Sequence, residues 1–249
     1  MTRYGTLCTE FYDLDKPEAP PEALEFYRAF ARHAVGPLLE PMCGSGRFLL
    51  PLLLDGFDIE GVDVSAEMRA ACEERGRARG VSPVVRPGSL EALAPSRQFG
   101  LVFIPSGSFC LLTDEKSVEL SLRRIHSALL SGGTFVVEVE RVPRLPPQGT
   151  GTWSGRWVQR SDGAKIVLSA LSEYSGIQQI LRSVHRYELI RDGKLLATEY
   201  EDFDLKFYEP GQFAGTLQSV GFSKIEMWKP YEHTAPDDED DAVVFSCTK

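Results

Sequence analysis

Residues 38 to 50, LLEPMCGSGRFLL, restrict the fold more than any other stretch of the chain. Leu38 and Leu39 close a short apolar strand, Glu40 stands at its carboxyl end, and a turn containing Gly44 and Gly46 runs into an apolar helix from Phe48 to Leu54. Two glycines in one turn remove the side chains that would hold a ligand away from the backbone, and a helix start supplies free N–H groups there. A second strand, Phe57 to Val64, carries Asp63 near its end, where a carboxylate can accept both hydroxyls of a ribose. Strand, glycine turn, helix, strand and acid together describe a nucleoside-binding half-domain.

Dinucleotide-binding turns use a third glycine to bring the helix close beneath a pyrophosphate. Leu49 occupies that position here, which favours a ligand without a pyrophosphate. From Glu40 through Asp63, and more loosely along most of the chain, the sequence resembles the class I S-adenosylmethionine-dependent methyltransferases, especially those with small-molecule substrates. The resemblance implies a Rossmann-like, doubly wound α/β fold with a seven-stranded, mostly parallel sheet. It also implies S-adenosyl-L-methionine as cofactor and S-adenosyl-L-homocysteine as product. Glu40 would hold the methionyl amino group, Cys43, Gly44, Ser45 and Gly46 would lie beside the methionine and ribose, and Asp63 would take the ribose hydroxyls. Val64 and Met68, in VDVSAEM, fall where the family covers the adenine ring. Ser89 and Leu90, in PGSLEAL, fall where the family has an aspartate and an apolar residue; the serine leaves the adenine amine with a weaker acceptor.

The remaining elements alternate as a doubly wound α/β fold does. Strands are predicted at 81–86, 99–105 and 134–139, with a helix over 115–130 that ends at Gly132-Gly133. Residues 151–208 change character: four strand-like runs are joined at Asp162-Gly163, Ser175-Gly176 and Asp192-Gly193, which are hairpin signals. They predict a four-stranded antiparallel β-meander inserted before a helix over 210–220 and two last strands, 223–228 and VVFSCT. The expected division is an N-terminal lid segment and helix over 1–35, a cofactor-binding core over 36–141 and 209–249, and a β insertion over 142–208 that serves as a lid or as a homodimer interface. Within the first part, the Pro17 and Pro20-Pro21 breaks separate an aromatic segment without regular period from an amphipathic helix over 22–33.

In an open α/β sheet the ligand lies beyond the carboxyl ends of the strands. Pro105 ends the fourth strand beside the cofactor, Gly107 in the following loop permits close approach of an acceptor, and Ser106, Ser108 and Phe109 are candidates for its wall, together with Tyr4 and Arg141. Arg141, Trp153 and Trp157 either face the pocket or stabilise the insertion. Methyl transfer from a sulfonium proceeds largely through alignment in a dry cavity. An acceptor that must lose a proton needs a base, and the candidates are Tyr12, Glu138, Glu140 and His185. Glu138 and Glu140 alternate with Val137 and Val139, so both project to one face.

Composition narrows the partners. A formal net charge of −9, with its one dense run the acidic Asp237 to Asp241, lacks the basic footprint of nucleic-acid binding. The longest apolar run is too short for a membrane span. Five cysteines without Cys-x-x-Cys spacing fit a reducing cytoplasm. The chain has no asparagine, so it contains neither Asn-Pro-Pro-Tyr nor the Asp-Asn metal pair of catechol methyltransferases, and no metal requirement is expected. The sequence therefore predicts methyl transfer to nitrogen or oxygen of a small molecule. The alternatives are an S-adenosylmethionine-binding protein without catalysis, a protein methyltransferase, and an NAD-dependent oxidoreductase.

Overall fold

A computed structural model describes residues 4–143 and 151–249. Seven strands form one sheet: β1 (Leu38–Pro41), β2 (Ile59–Asp63), β3 (Val84–Pro87), β4 (Phe99–Ile104), β5 (Leu129–Glu140), β11 (Ser223–Trp228) and β12 (Ala242–Thr248), in the order β11-β12-β5-β4-β1-β2-β3. The strands β3 to β5 are parallel, and β12 runs antiparallel to both neighbours. The order reverses beside β1, where β4 and β2 flank it. That switch point opens a crevice at the carboxyl ends of the strands.

Period-two alternation sorts the core into two layers. Val102 and Ile104 of β4 and Phe135 and Val137 of β5 pack against α5 (Glu115–Ala128) and α6 (Pro210–Val220) through Leu122, Ile125, Phe213 and Leu217. Leu101, Phe103 and Val136 face the other way, against α2 (Pro21–His33) and α3 (Leu49–Leu54), with Cys72 of α4 (Ala66–Ala78) joining that layer. Leu49 is completely buried among them, so the position of a dinucleotide fold's third glycine belongs to the hydrophobic layer.

The insertion is a second, antiparallel sheet. The strands β6 (Trp153–Gln159), β7 (Lys165–Ser175), β8 (Ile180–Arg191) and β9 (Lys194–Asp202) form the meander, and a two-residue β10 (Leu205–Lys206) pairs with the start of β8. The last predicted run is thus two strands on one edge of β8 in the same register, and between them Phe203 N–H still donates to the Ser183 carbonyl at 2.7 Å. A further difference lies at the N-terminus. Residues read as an irregular aromatic segment form a helix, α1 (Thr6–Asp15), whose Leu7, Cys8 and Phe11 pack on Ile166, Leu168 and Tyr187 of the second sheet. Carboxylates on β9 satisfy its free N-terminal donors: Glu199 accepts from Leu7 N–H at 3.1 Å and Cys8 N–H at 3.0 Å, and Glu201 accepts from Tyr4 N–H at 2.9 Å and from Gly5 N–H. No helix among the described residues is long and apolar enough to cross a membrane.

Candidate functional site

The turn between β1 and α3 adopts a conformation that its glycines permit. Gly44 has φ +53° and Gly46 φ +82°, and a Cβ on Gly46 would stand 2.5 Å from Cys72 Sγ. Gly46 therefore serves close packing on α4, whereas Gly44 lines a cavity of about 280 Å³ at the switch point. Glu40, Cys43, Asp63, Val64, Met68, Ser89, Leu90, Pro105 and Ser106 line the same cavity. Ser45 does not: its hydroxyl donates to Asp13 of α1, which also pairs with Arg75 at 3.0 Å and so ties the new helix to the turn.

The two acids differ in their surroundings. Asp63 receives Gly44 N–H and Ser65 N–H, each at 2.8 Å, so it shapes the turn as well as facing the cavity. Burial raises its pKa, and those two N–H groups oppose the rise. Glu40 is 2% exposed, and its Oε2 has no hydrogen-bond partner. Burial lifts its pKa well above the ordinary carboxylate range, with the Leu49 N–H opposing in part. An unpartnered carboxylate oxygen on a cavity wall costs stability unless a donor or cation reaches it. A ligand ammonium would satisfy it.

A second cavity of about 270 Å³ adjoins the first. Tyr4, Tyr12, Arg47, Ser106, Ser108 and Leu111 line both. The second lies between the end of the main sheet, α1 and the inner face of the insertion, which supplies His185, Tyr187 and Phe203. Arg47 was not singled out from the sequence, yet it is 8% exposed and donates to Tyr12 Oη at 2.9 Å on the shared wall. Glu91, also missed, lines the first cavity beside Ser89 and Leu90. A neighbouring carboxylate two positions from the expected one was the signal available.

Glu140 lines the second cavity, and burial together with Glu138 and Asp241 pushes its pKa up to about 7. Gly107, at φ +65°, makes room for it: a Cβ there would stand 2.9 Å from Glu140 Oε1. Burial, with Arg156 adding to it, lowers the pKa of His185, whose ring stacks on Phe203 at 4.8 Å. Besides Ser45 and Gly46, three expected site residues lie outside both cavities. Glu138 shares its face with Glu140, but it is 5% exposed and lines neither cavity; Tyr27 and Tyr231 pack about it, and Oε2 accepts from Ser106 N–H at 3.2 Å, fixing the loop. Phe109 is fully buried against Tyr208 and Phe213, because a short 3₁₀ turn, Ser108–Leu111, rolls it into the core. Arg141 turns to the acidic loop, donating to the Asp240 carbonyl at 3.2 Å and pairing with Asp238 at 3.7 Å.

Comparison with known proteins agrees with this geometry. Residues 38–133 match the family model described as a methyltransferase domain. The chain has the class I methyltransferase fold. It is similar to a crystal structure of an S-adenosylmethionine-dependent methyltransferase from Clostridium acetobutylicum, with a TM-score of 0.79 at 15% identity over 96% of each chain. The sugar N-methyltransferase KedS8 from Streptoalloteichus sp. superposes with a TM-score of 0.75 at 21% identity, covering 100% of this chain and 96% of its own. Among curated proteins, "Putative methyltransferase GWCH70_2453" of Geobacillus sp. (strain WCH70) is 23% identical over 250 residues, 96% of this chain and 97% of the relative. The methyltransferase-domain match spans β1 to the start of β5, which includes the glycine turn, Asp63 and Ser106.

Proposed function

We propose that the protein is an S-adenosylmethionine-dependent methyltransferase acting on an amine of a small molecule. The observation that carries the proposal is that Glu40, which lines the switch-point cavity together with Asp63, has a buried carboxylate oxygen, Oε2, without a hydrogen-bond partner. Glu40 would hold the methionyl ammonium, Asp63 the ribose hydroxyls, and Val64, Met68 and Leu90 the adenine faces, with Ser89 or Glu91 accepting from its amine. The cofactor supplies a methyl group on a sulfonium, which leaves as a neutral thioether.

The shared wall then decides where an acceptor stands. Tyr12, Arg47 and Ser106 border both cavities together with Tyr4, Ser108 and Leu111, so a nucleophile in the second approaches the first along this shared wall. Confinement of this kind supplies alignment and excludes water, the main sources of acceleration for such a displacement. An amine must lose its ammonium proton before it attacks. Glu140, with its pKa near 7, and His185, kept neutral by burial, can accept that proton. Neither is basic enough to deprotonate an alcohol, which favours nitrogen over oxygen.

The cover formed by α1 and the insertion favours a small molecule over a protein substrate, and we assign residues 1–35 and 142–208 the role of a lid over the cofactor-binding core. Calorimetric titration with S-adenosylhomocysteine, with NADH as control, tests the proposal. Saturable binding of the former alone is expected. Binding of NADH alone would return the site to the oxidoreductases.

A further inference from the structure

The charges on the second cavity are not those of a site for a neutral acceptor. Three cations line it, Lys16, Arg47 and Arg156, against two acids, Asp15 and Glu140, in a chain whose formal net charge is −9. The cations have different partners. Arg47 is buried and hydrogen-bonded to Tyr12 Oη and the Glu18 carbonyl. Arg156 reaches Asp15 Oδ2 at 2.8 Å and stands 5.2 Å from the Phe11 ring centroid. Lys16 has no carboxylate within ion-pair distance among the described residues; its ammonium stands 5.7 Å from the Tyr12 ring centroid.

Lys16 and Arg156 are exposed members of this lining, as is Ser106, whereas Glu140 is half-buried and Gly107 buried at the end of the main sheet. The cavity therefore has a cationic mouth and a proton-accepting interior. Its three cations repel one another, and burial together with Arg47 and Arg156 lowers the Lys16 pKa, with Asp15 and Glu140 opposing. An anion placed at the mouth relieves that repulsion and gives Lys16 an ion-pair partner at close range, which no carboxylate among the described residues does.

We propose that the methyl acceptor carries an anionic group, carboxylate or phosphate, that docks on Lys16 and Arg156 at the mouth of the second cavity while its amine faces Glu140. The assignment of the opposite end as the amine rests on the methyltransferase proposal above; the anion site rests on the cavity alone. The same pair of cations at the entrance attracts such a substrate against the acidic background of the chain.

The test uses thermal unfolding of the full-length protein with inorganic pyrophosphate and with succinate, each against sodium chloride at matched ionic strength, for the wild type, Lys16→Gln and Lys16→Arg. The unliganded melting temperatures of the two variants establish that both are folded. At roughly ten times the Kd, a native-state ligand raises the melting temperature by about 3–6 °C for a chain of this size. The expected result is a rise beyond the chloride control in the wild type, lost in Lys16→Gln and kept in Lys16→Arg. A rise with pyrophosphate alone identifies a phosphate-bearing acceptor, one with succinate alone a carboxylate, and one with both a site that reads charge. No rise with either anion, or the same rise in Lys16→Gln as in the wild type, overturns the anion site. S-adenosylhomocysteine is titrated in parallel: its failure to bind removes the methyltransferase proposal and leaves the anion result to be read on its own.

Discussion

Replacing Glu40 with glutamine should move stability and cofactor affinity in opposite directions. The carboxylate is 2% exposed, one oxygen has no partner, and burial raises its pKa well above the ordinary value of 4.5. A carboxyl with a folded-state pKa above its unfolded value gives stability that is complete below the unfolded pKa and lost as pH rises through the folded one. Glutamine keeps the shape without the charge. At pH values above the folded pKa, Glu40→Gln should therefore stabilise the unliganded protein by about 1–3 kcal/mol, the range for a buried polar group left unsatisfied. At about 2–4 °C per kcal/mol for a chain of this size, the melting temperature rises by roughly 2–12 °C. The difference should shrink to nothing as pH falls to about 4.5. The same change removes a charge-assisted hydrogen bond to the ligand ammonium, worth about 1.5–3 kcal/mol, so S-adenosylhomocysteine should bind roughly ten- to 150-fold more weakly. Differential scanning calorimetry across pH and isothermal titration give the two quantities. A variant that melts lower than the wild type while binding the ligand equally well would refute the reasoning.

Other perturbations separate the remaining roles. Glu140→Gln should flatten the pH dependence of methyl transfer, which in the wild type is expected to rise through about pH 7 as the carboxyl ionises; a retained rise in a stopped assay from pH 5.5 to 9 would assign the proton acceptor elsewhere. Glu199→Ala strands the Leu7 and Cys8 N–H groups and should destabilise α1 by about 1–3 kcal/mol, seen as faster amide exchange over residues 6–15 with little change in α5. Gly46→Ala forces a Cβ to 2.5 Å from Cys72 Sγ at φ +82° and should cost about 1–3 kcal/mol in chemical denaturation; an unchanged midpoint would show that α4 yields freely.

The parts of the site legible in the sequence are those built from consecutive residues. Glu40, Gly44 and Asp63 come together because strand, turn, helix and strand follow one another over residues 38–63, and β1 and β2 pair in register through Glu40 and Gly61. Residues whose role depends on distant elements were harder to read. The helix α1 has no side-chain N-cap of its own; its donors are satisfied from β9, more than 190 positions away, so local sequence gave no start signal. Glu138 and Glu140 do share a face, but only the fold reveals that Tyr27 of α2 and Tyr231 close over the first and leave the second to the cavity. Phe109 looks like a loop aromatic until the 3₁₀ turn carries it into the layer shared with α6. Arg47 was overlooked because a basic residue after a glycine turn carries no distinctive spacing, although its guanidinium stands where the two cavities meet.

A crystal structure of the S-adenosylhomocysteine complex is the most direct test of the central claim. The account predicts the ligand's ammonium within hydrogen-bonding distance of Glu40 Oε2, its ribose hydroxyls on Asp63, and its sulfur directed toward the wall formed by Tyr12, Arg47 and Ser106. A ligand bound elsewhere, or bound at the switch point with Glu40 still unpartnered, would contradict it.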